Sequence, residues 1–201
     1  MAETTDNKGL FWNSQNNDRL YDADSIGKWL AKFFTTGVFA EDFQVTPGTG
    51  MRVVMAPGYV NIINPMSAIA GGKVRLFEND TTLELNMAHS SSPRIDTVVI
   101  ERNDDERDIS AKIVTGTPAA NPIAVAPVRT DTIYQLVIAE IRVDAGVNSI
   151  ESNKITRKCA DNNLCGIITG TVSNNQITYG TEDLTPGVSE LADGTVYFVY
   201  V

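Results

Sequence analysis

Cysteine and histidine are almost absent from this chain, which has only Cys159, Cys165 and His89. Two thiols six positions apart and a single imidazole cannot complete a four-ligand zinc site, and assembly in a reducing cytoplasm makes two free thiols the expectation rather than a disulfide. Basic residues are short too, 16 against 25 acidic, for a net charge of −9 and a pI near 4.6. That balance repels phosphate backbones, so nucleic acid is not an expected partner. No apolar run reaches the roughly 18 residues that a spanning helix needs. The opening MAETTDNKG carries neither a basic n-region nor an apolar h-region. A protein made and kept soluble, with no membrane insertion, is the expectation.

Motifs with catalytic meaning are also missing. Neighbouring carboxylates occur at Glu41-Asp42, Asp104-Asp105 and Glu182-Asp183, but a glycosidase needs two such groups facing each other across a cleft, and adjacent acids in turns point apart. The Asp104–Asp108 turn lacks the glycine and terminal Glu of an EF-hand loop. His89 has no nucleophile elbow to serve, which makes it a surface-loop histidine. Gly48-Thr49-Gly50 and Gly71-Gly72 lack the strand-to-helix setting of a phosphate loop and read as turns. No catalytic, metal or cofactor residue is therefore assigned. Tyr59, Tyr134, Tyr179, Tyr197, Phe198 and Tyr200 suit core packing or an intersubunit seam better than sugar stacking.

What the chain does contain is β patterning around one stretch, RIDTVVIERNDDERDISAKIVT from Arg94 to Thr115. A strand period of two puts Val98 and Ile100 on one face of the first arm, and Ile109, Ala111 and Ile113 on one face of the second. Thr97, Glu101, Asp108, Ser110 and Lys112 fall on faces expected to meet water, with turn chemistry at Asn103 to Glu106. Two short strands, Met51–Ala56 and Tyr59–Ile63, are expected to be joined by Pro57-Gly58, and Lys73–Phe77 with Thr82–Leu85 to form another hairpin around Glu78-Asn79-Asp80. Pro118 to Pro127 is expected to be an extended connector. Ile133–Val143 has the β-branched content of a strand buried on both faces. Ser149–Arg157 reads as a short turn-like element, and Thr195–Val201 as a terminal strand after the Asp193-Gly194 turn.

One helix stands out. Ile26, Trp29, Leu30, Phe33 and Phe34 follow the i, i+3, i+4, i+7, i+8 spacing of a wide apolar stripe. The pattern predicts a helix from Asp24 to Thr36, capped by Asp22, Asp24 or Ser25 and ended by Gly37 in the left-handed conformation. The stripe packs either on its own β-domain or on another copy. The polar arm before it carries Leu10, Phe11 and Trp12, so the candidate assembly residues are Trp12, Ile26, Trp29, Leu30, Phe33 and Phe34. With 42% apolar residues in 201, the chain can fill a core. The expected architecture is mainly β, a β-sandwich or barrel-like domain with one N-terminal amphipathic helix and a small C-terminal β tail. The expected divisions are an arm and helix at 1–37, a main β domain at 38–165 and a short C-terminal β module at 166–201.

Several stretches, in order, resemble tail and baseplate structural proteins of bacteriophages and prophages of Gram-positive bacteria. FWNSQNNDRLYDADSIGKWLAKFFTTGVF is similar to their start, where an Asn/Ser-Asp-Arg-x-Tyr segment leads into an amphipathic helix and then Gly-Val-Phe. MRVVMAPGYVNI resembles their Pro-Gly strand pair, and RIDTVVIERNDDERDISAKIVTGTPAANP their central hairpin with its Gly-Thr-Pro exit. IYQLVIAEIRVDAGVNSIESNKIT with LCGIITG resembles their later strand and terminal Cys-Gly. The likeness covers about residues 11 to 170. The ending, YGTEDLTPGVSELADGTVYFVYV, is similar to a short C-terminal module of phage tail proteins. ITRKCADNNLCG stands where the family has Asp-x-Arg before Cys-Gly, and the chain stops soon after it, which fits an adaptor better than a receptor-binding tip. The resemblance implies a non-enzymatic virion protein, made in the bacterial cytoplasm. It implies a homo-oligomer, a trimer above others, that links the tail to fibre or receptor-binding parts. The alternative is a carbohydrate-binding module that contacts a host surface glycan.

Overall fold

The computed structural model describes residues 23–69 and 71–170, together with the backbone of 177–180 and 196–199. It is mainly β with one short helix, and its three antiparallel sheets do not close into a barrel. The chain divides into two compact units, Met1–Thr169 and Gly170–Val201.

The first unit begins with α1 (Ala23–Leu30), then β1 (Gly37–Val38), β2 (Val45–Pro47), β3 (Arg52–Met55), β4 (Gly58–Ile63), β5 (Gly72–Phe77) and β6 (Thr81–Glu84). The turn at Pro47–Gly50 makes β2 and β3 a hairpin, as expected. The two neighbouring hairpins do not form. Strands β3 and β4 lie in different sheets despite their Pro-Gly junction, and so do β5 and β6. Instead β3 pairs with β6 and β4 with β5, with Arg52 opposite Glu84, Met55 opposite Thr81, Gly58 opposite Phe77 and Ile63 opposite Gly72. These are the arms of one long ribbon, bent where Ala56-Pro57 faces Glu78–Asp80. Proline cannot donate to a ladder, so the break in pairing falls there, and the ribbon switches sheets at the corner. Phe43 plugs the bend: it is fully buried at φ 56°, stacks edge-on against Phe77 at 5.5 Å, and donates its N–H to Pro57 O.

The central hairpin is β7 (Arg94–Asn103) and β8 (Asp108–Val114), and β7 also pairs with β9 (Ile133–Val143), which carries β10 (Ile155–Arg157) on its far edge after a 3-10 turn at Ser152–Lys154. Asn103 Oδ1 accepts the N–H groups of Asp105 and Glu106, which is the turn chemistry read from the sequence. Strand β9 is buried along both faces, as its composition implied. Strand β7 departs from expectation. Thr97 and Glu101, assigned to water, are 1% and 4% exposed. A strand with partners on both sides leaves little solvent access, and Glu101 is compensated by Lys112 Nζ at 2.5 Å and Gln135 Nε2 at 2.6 Å. Thr97 Oγ1 has no hydrogen-bond partner among the described residues. The connector from Pro118 forms no strand before the Arg129–Tyr134 bridge. Side chains of all three sheets, such as Val53, Ile62, Val98 and Ile138, meet in one core, a sandwich-like arrangement.

The helix is shorter than its apolar period. It stops at Leu30 and the chain continues as turns, with Lys32 and Phe33 donating to Trp29 O and Leu30 O. Gly37 does not cap it. That residue opens β1 at φ 146°, and a Cβ there would lie 2.3 Å from Gly166 O. The strand contact with the segment after Cys165 overrides the helix ending: Val38 N donates to Gly166 O and Ile168 N to Val38 O. Gly37→Ala is expected to cost about 2–4 kcal/mol through backbone strain and collision, read from the denaturant midpoint. An unchanged midpoint would refute this close approach.

In the second unit, β11 (Ile177–Gly180) pairs in parallel with β12 (Val196–Val199). Strand β12 falls within the terminal strand read at Thr195–Val201.

Candidate functional site

The helix meets the β body through its smallest residue. Gly27 is the buried position of α1, and a Cβ there would lie 2.8 Å from Gly72 O. The ion pair of Asp24 with Lys73 Nζ, at 2.5 Å, ties the same turn to β5. Seating on Gly27 rotates the aromatic side chains outward. Ile26 and Leu30 are half-buried, while Trp29, Phe33 and Phe34 are 43–44% exposed. The Trp29 and Phe33 rings pack on each other with centroids 4.8 Å apart.

This exposed surface extends beyond the helix. Phe39 and Tyr59 stand edge-to-face at 6.3 Å, both nearly half exposed, and Val74 and Leu76 of β5 are exposed beside them. Leu30, Phe34, Phe39, Tyr59, Val74 and Ile168 line an almost wholly apolar groove of about 170 Å³. Contiguous apolar surface of this kind is uncommon on a folded domain, which makes it the candidate site. Of the residues assigned to assembly from sequence, Trp29, Leu30, Phe33 and Phe34 lie on this surface, Ile26 is half-buried and lines a separate cavity, and Trp12 lies outside the described residues. Sequence reasoning missed Phe39, Val74 and Leu76, and left Tyr59 between core packing and an intersubunit seam. Their signal was available: the β4–β5 pairing sets Tyr59 opposite Leu76 and Val60 opposite Arg75, and the alternation in YVNII and KVRLF places apolar side chains on the solvent side.

A second cavity, about 750 Å³, lies between α1, β5 and the β7–β8 turn. The acids lining it are already committed: Asp24 to Lys73, Asp104 to Arg102 and Asp108 to Arg75. These ion pairs tie the helix and the β7–β8 turn to the β body.

Buried Arg-x-Asp pairs are the main feature that the sequence reading did not single out. Residues two apart on a strand share a face, and at each end of β7 an arginine closes on the aspartate two positions later. Arg94 Nε donates to Asp96 at 2.8 Å, and its other nitrogens to Met87 O and Asn86 O, while Gly116 N donates to Asp96. Arg102 Nε donates to Asp104 at 2.6 Å, and its remaining donors to Ile62, Ile69 and Gly71 carbonyls and Asp104 Oδ2. Both arginines are at most 3% exposed. They bracket Val98 and Ile100 and tie loops to the central strand. A third pair, Arg142 and Asp144, lies at the surface with Lys154.

Lys154 and Arg142 hold the Asp144 carboxyl below its usual range. A depressed carboxylate contributes stability above its unfolded pKa, and that contribution disappears as pH falls through the lower folded value. These side chains are 32–47% exposed, so Asp144→Asn is expected to cost less than about 1 kcal/mol at pH 7. The difference from wild type should vanish in acid. A difference that grows on acidification would contradict the assignment.

The other sequence candidates are structural. His89 is exposed, and its Nδ1 faces the N–H groups of Ser91 and Ser92 at 3.3 and 3.2 Å. Asp42 Oδ2 accepts Tyr59 N. Glu182-Asp183 lies outside the described residues. Cys159 and Cys165 are free thiols, both buried. No group of three or more metal-ligating side chains occurs among the described residues, and no described helix is long and apolar enough to cross a membrane. No family model, curated protein or solved structure matches the chain.

Proposed function

We propose that this chain is a non-enzymatic structural component of a phage or prophage tail or baseplate. It assembles with copies of itself, as a trimer, and links the tail to fibre or receptor-binding parts in the virion. The ordered sequence resemblance over residues 11 to 170 supports the tail assignment. The observation that carries the assembly reading is the outward aromatic surface formed by Trp29, Phe33, Phe34, Phe39 and Tyr59. A rotation axis lets identical copies cover such a surface mutually, leaving none of it in water. The net charge of −9 opposes association weakly, because repulsion is screened beyond about 8 Å at physiological salt.

Hydrogen exchange on dilution tests this. Peptides spanning residues 26–34, 59–63 and 72–77 should lose protection together as concentration falls, while β7 and β9 stay protected. Protection of those peptides independent of concentration would refute assembly through this surface. A second reading, glycan binding, is favoured by the exposed Tyr59 ring beside the apolar groove, since sugar faces stack on such rings. Specific signals on a glycan array, lost in Tyr59→Ala, would move the assignment to that class.

A further inference from the structure

The two cysteines sit at the ends of one tight loop. Cys165 N donates to Asp161 O at 2.8 Å, and Gly166 N donates back to Cys159 O at 3.1 Å, closing the loop on itself. That backbone bond sets Cys159 beside Gly166, so the two cysteines meet at the neck of the loop. The thiols are 0% and 3% exposed, and each points at a nearby carbonyl: Cys159 Sγ at Ile138 O, 3.6 Å, and Cys165 Sγ at Gly166 O, 3.5 Å. Mutual hydrogen bonding between the side chains lowers the Cys159 thiol below its ordinary range, and pushes the Cys165 thiol, which is also desolvated, far above it. One sulfur is thus primed as a nucleophile against the other. Cys165 lines a cavity of about 470 Å³ together with Thr35, Arg129, Tyr134 and Asn162, which gives a small oxidant a path to the pair.

We propose that Cys159 and Cys165 form a redox-convertible pair, which a peroxide oxidises to an intramolecular disulfide without unfolding the first unit. The Cys159 thiolate attacks one peroxide oxygen, the O–O bond breaks, the leaving hydroxide takes up the thiol's proton and departs as water, and Cys159 becomes a sulfenic acid. The Cys165 sulfur then attacks the Cys159 sulfur, the S–O bond breaks, and the Cys165 proton leaves with the hydroxyl as a second water. Two thiols have lost two electrons and two protons, and the peroxide has taken them up. The bond would fix the segment after Cys165, which holds Val38 through Gly166 and Ile168 and supplies Ile168 to the apolar groove. This inference does not depend on the function proposed above.

The test treats the full-length protein with hydrogen peroxide. Titration in denaturant should fall from two thiols to none, the intact mass should drop by two hydrogens, and the melting temperature should rise by about 5 °C. A dithiol reductant should reverse all three. Cys165→Ala should instead trap a sulfenic acid on Cys159 that a dimedone probe labels. Disulfide-linked dimers, or two thiols that survive peroxide until the protein is unfolded, would overturn the proposal.

Discussion

Arg102→Ala should cost about 3–5 kcal/mol, a large share of the roughly 5–15 kcal/mol that keeps a domain folded. The residue is 1% exposed and is the largest fully buried side chain among the described residues. Its five N–H donors are all used, two on Asp104 and three on the carbonyls of Ile62, Ile69 and Gly71. Truncation removes the partner of an aspartate that is 8% exposed and takes a donor from three backbone carbonyls, one in β4 and two in the turn after it, which is more damaging than losing an average hydrogen bond. Arg102→Lys keeps the charge but lacks the planar fork, so it should recover only part of the loss. Denaturant unfolding followed by tryptophan fluorescence measures both. A midpoint for Arg102→Ala within 1 kcal/mol of wild type would show that the network does not hold the β5–β7 corner.

The second large effect concerns association rather than folding. The Trp29→Ser, Phe33→Ser double variant should lose self-association while retaining most of its monomer stability. Full burial of two such side chains is worth roughly 3–6 kcal/mol. Both are over two-fifths exposed in the single chain, so roughly half of that, about 1–3 kcal/mol, is already realised by folding and the remainder is available to a partner. The melting temperature should therefore drop modestly, and the assembled mass should collapse. A variant that keeps both its melting temperature and its mass would show that the stripe is neither structural nor an interface.

The sequence was most informative where local pattern and tertiary context agree. The β7–β8 turn follows from Asn103 and its neighbours, and the doubly buried β9 from a run of β-branched residues too long and too apolar for an edge. The helix was legible as an amphipathic stripe, but its end was not, because Gly37 answers to the backbone of Gly166, far along the chain. The same holds for the Pro57-Gly58 junction. Locally it reads as a hairpin turn; in the fold it is the corner of a ribbon whose true turn lies at residues 64–71, and only the non-local pairing of β4 with β5 reveals this. The buried arginines escaped notice because charge reads as surface by default. Their i, i+2 spacing from an aspartate within an otherwise apolar strand is the signal that would have exposed them. For the candidate site, the helical half was visible as a stripe. In the strand half, Tyr59 stood between core packing and a seam, and Val74 and Leu76 become visible only once the sheet places them beside Tyr59.

Multi-angle light scattering on the full-length chain, across a concentration series into the high micromolar range, tests the central claim most directly. Self-assembly through the aromatic surface predicts a mass three times the 21.8 kDa of one chain, falling towards a single chain when Trp29 and Phe33 are both serine. A wild-type mass of 21.8 kDa at every concentration, with residues Ile26 to Phe34 protected from hydrogen exchange, would mean that one chain shields the stripe by itself and would contradict the trimer.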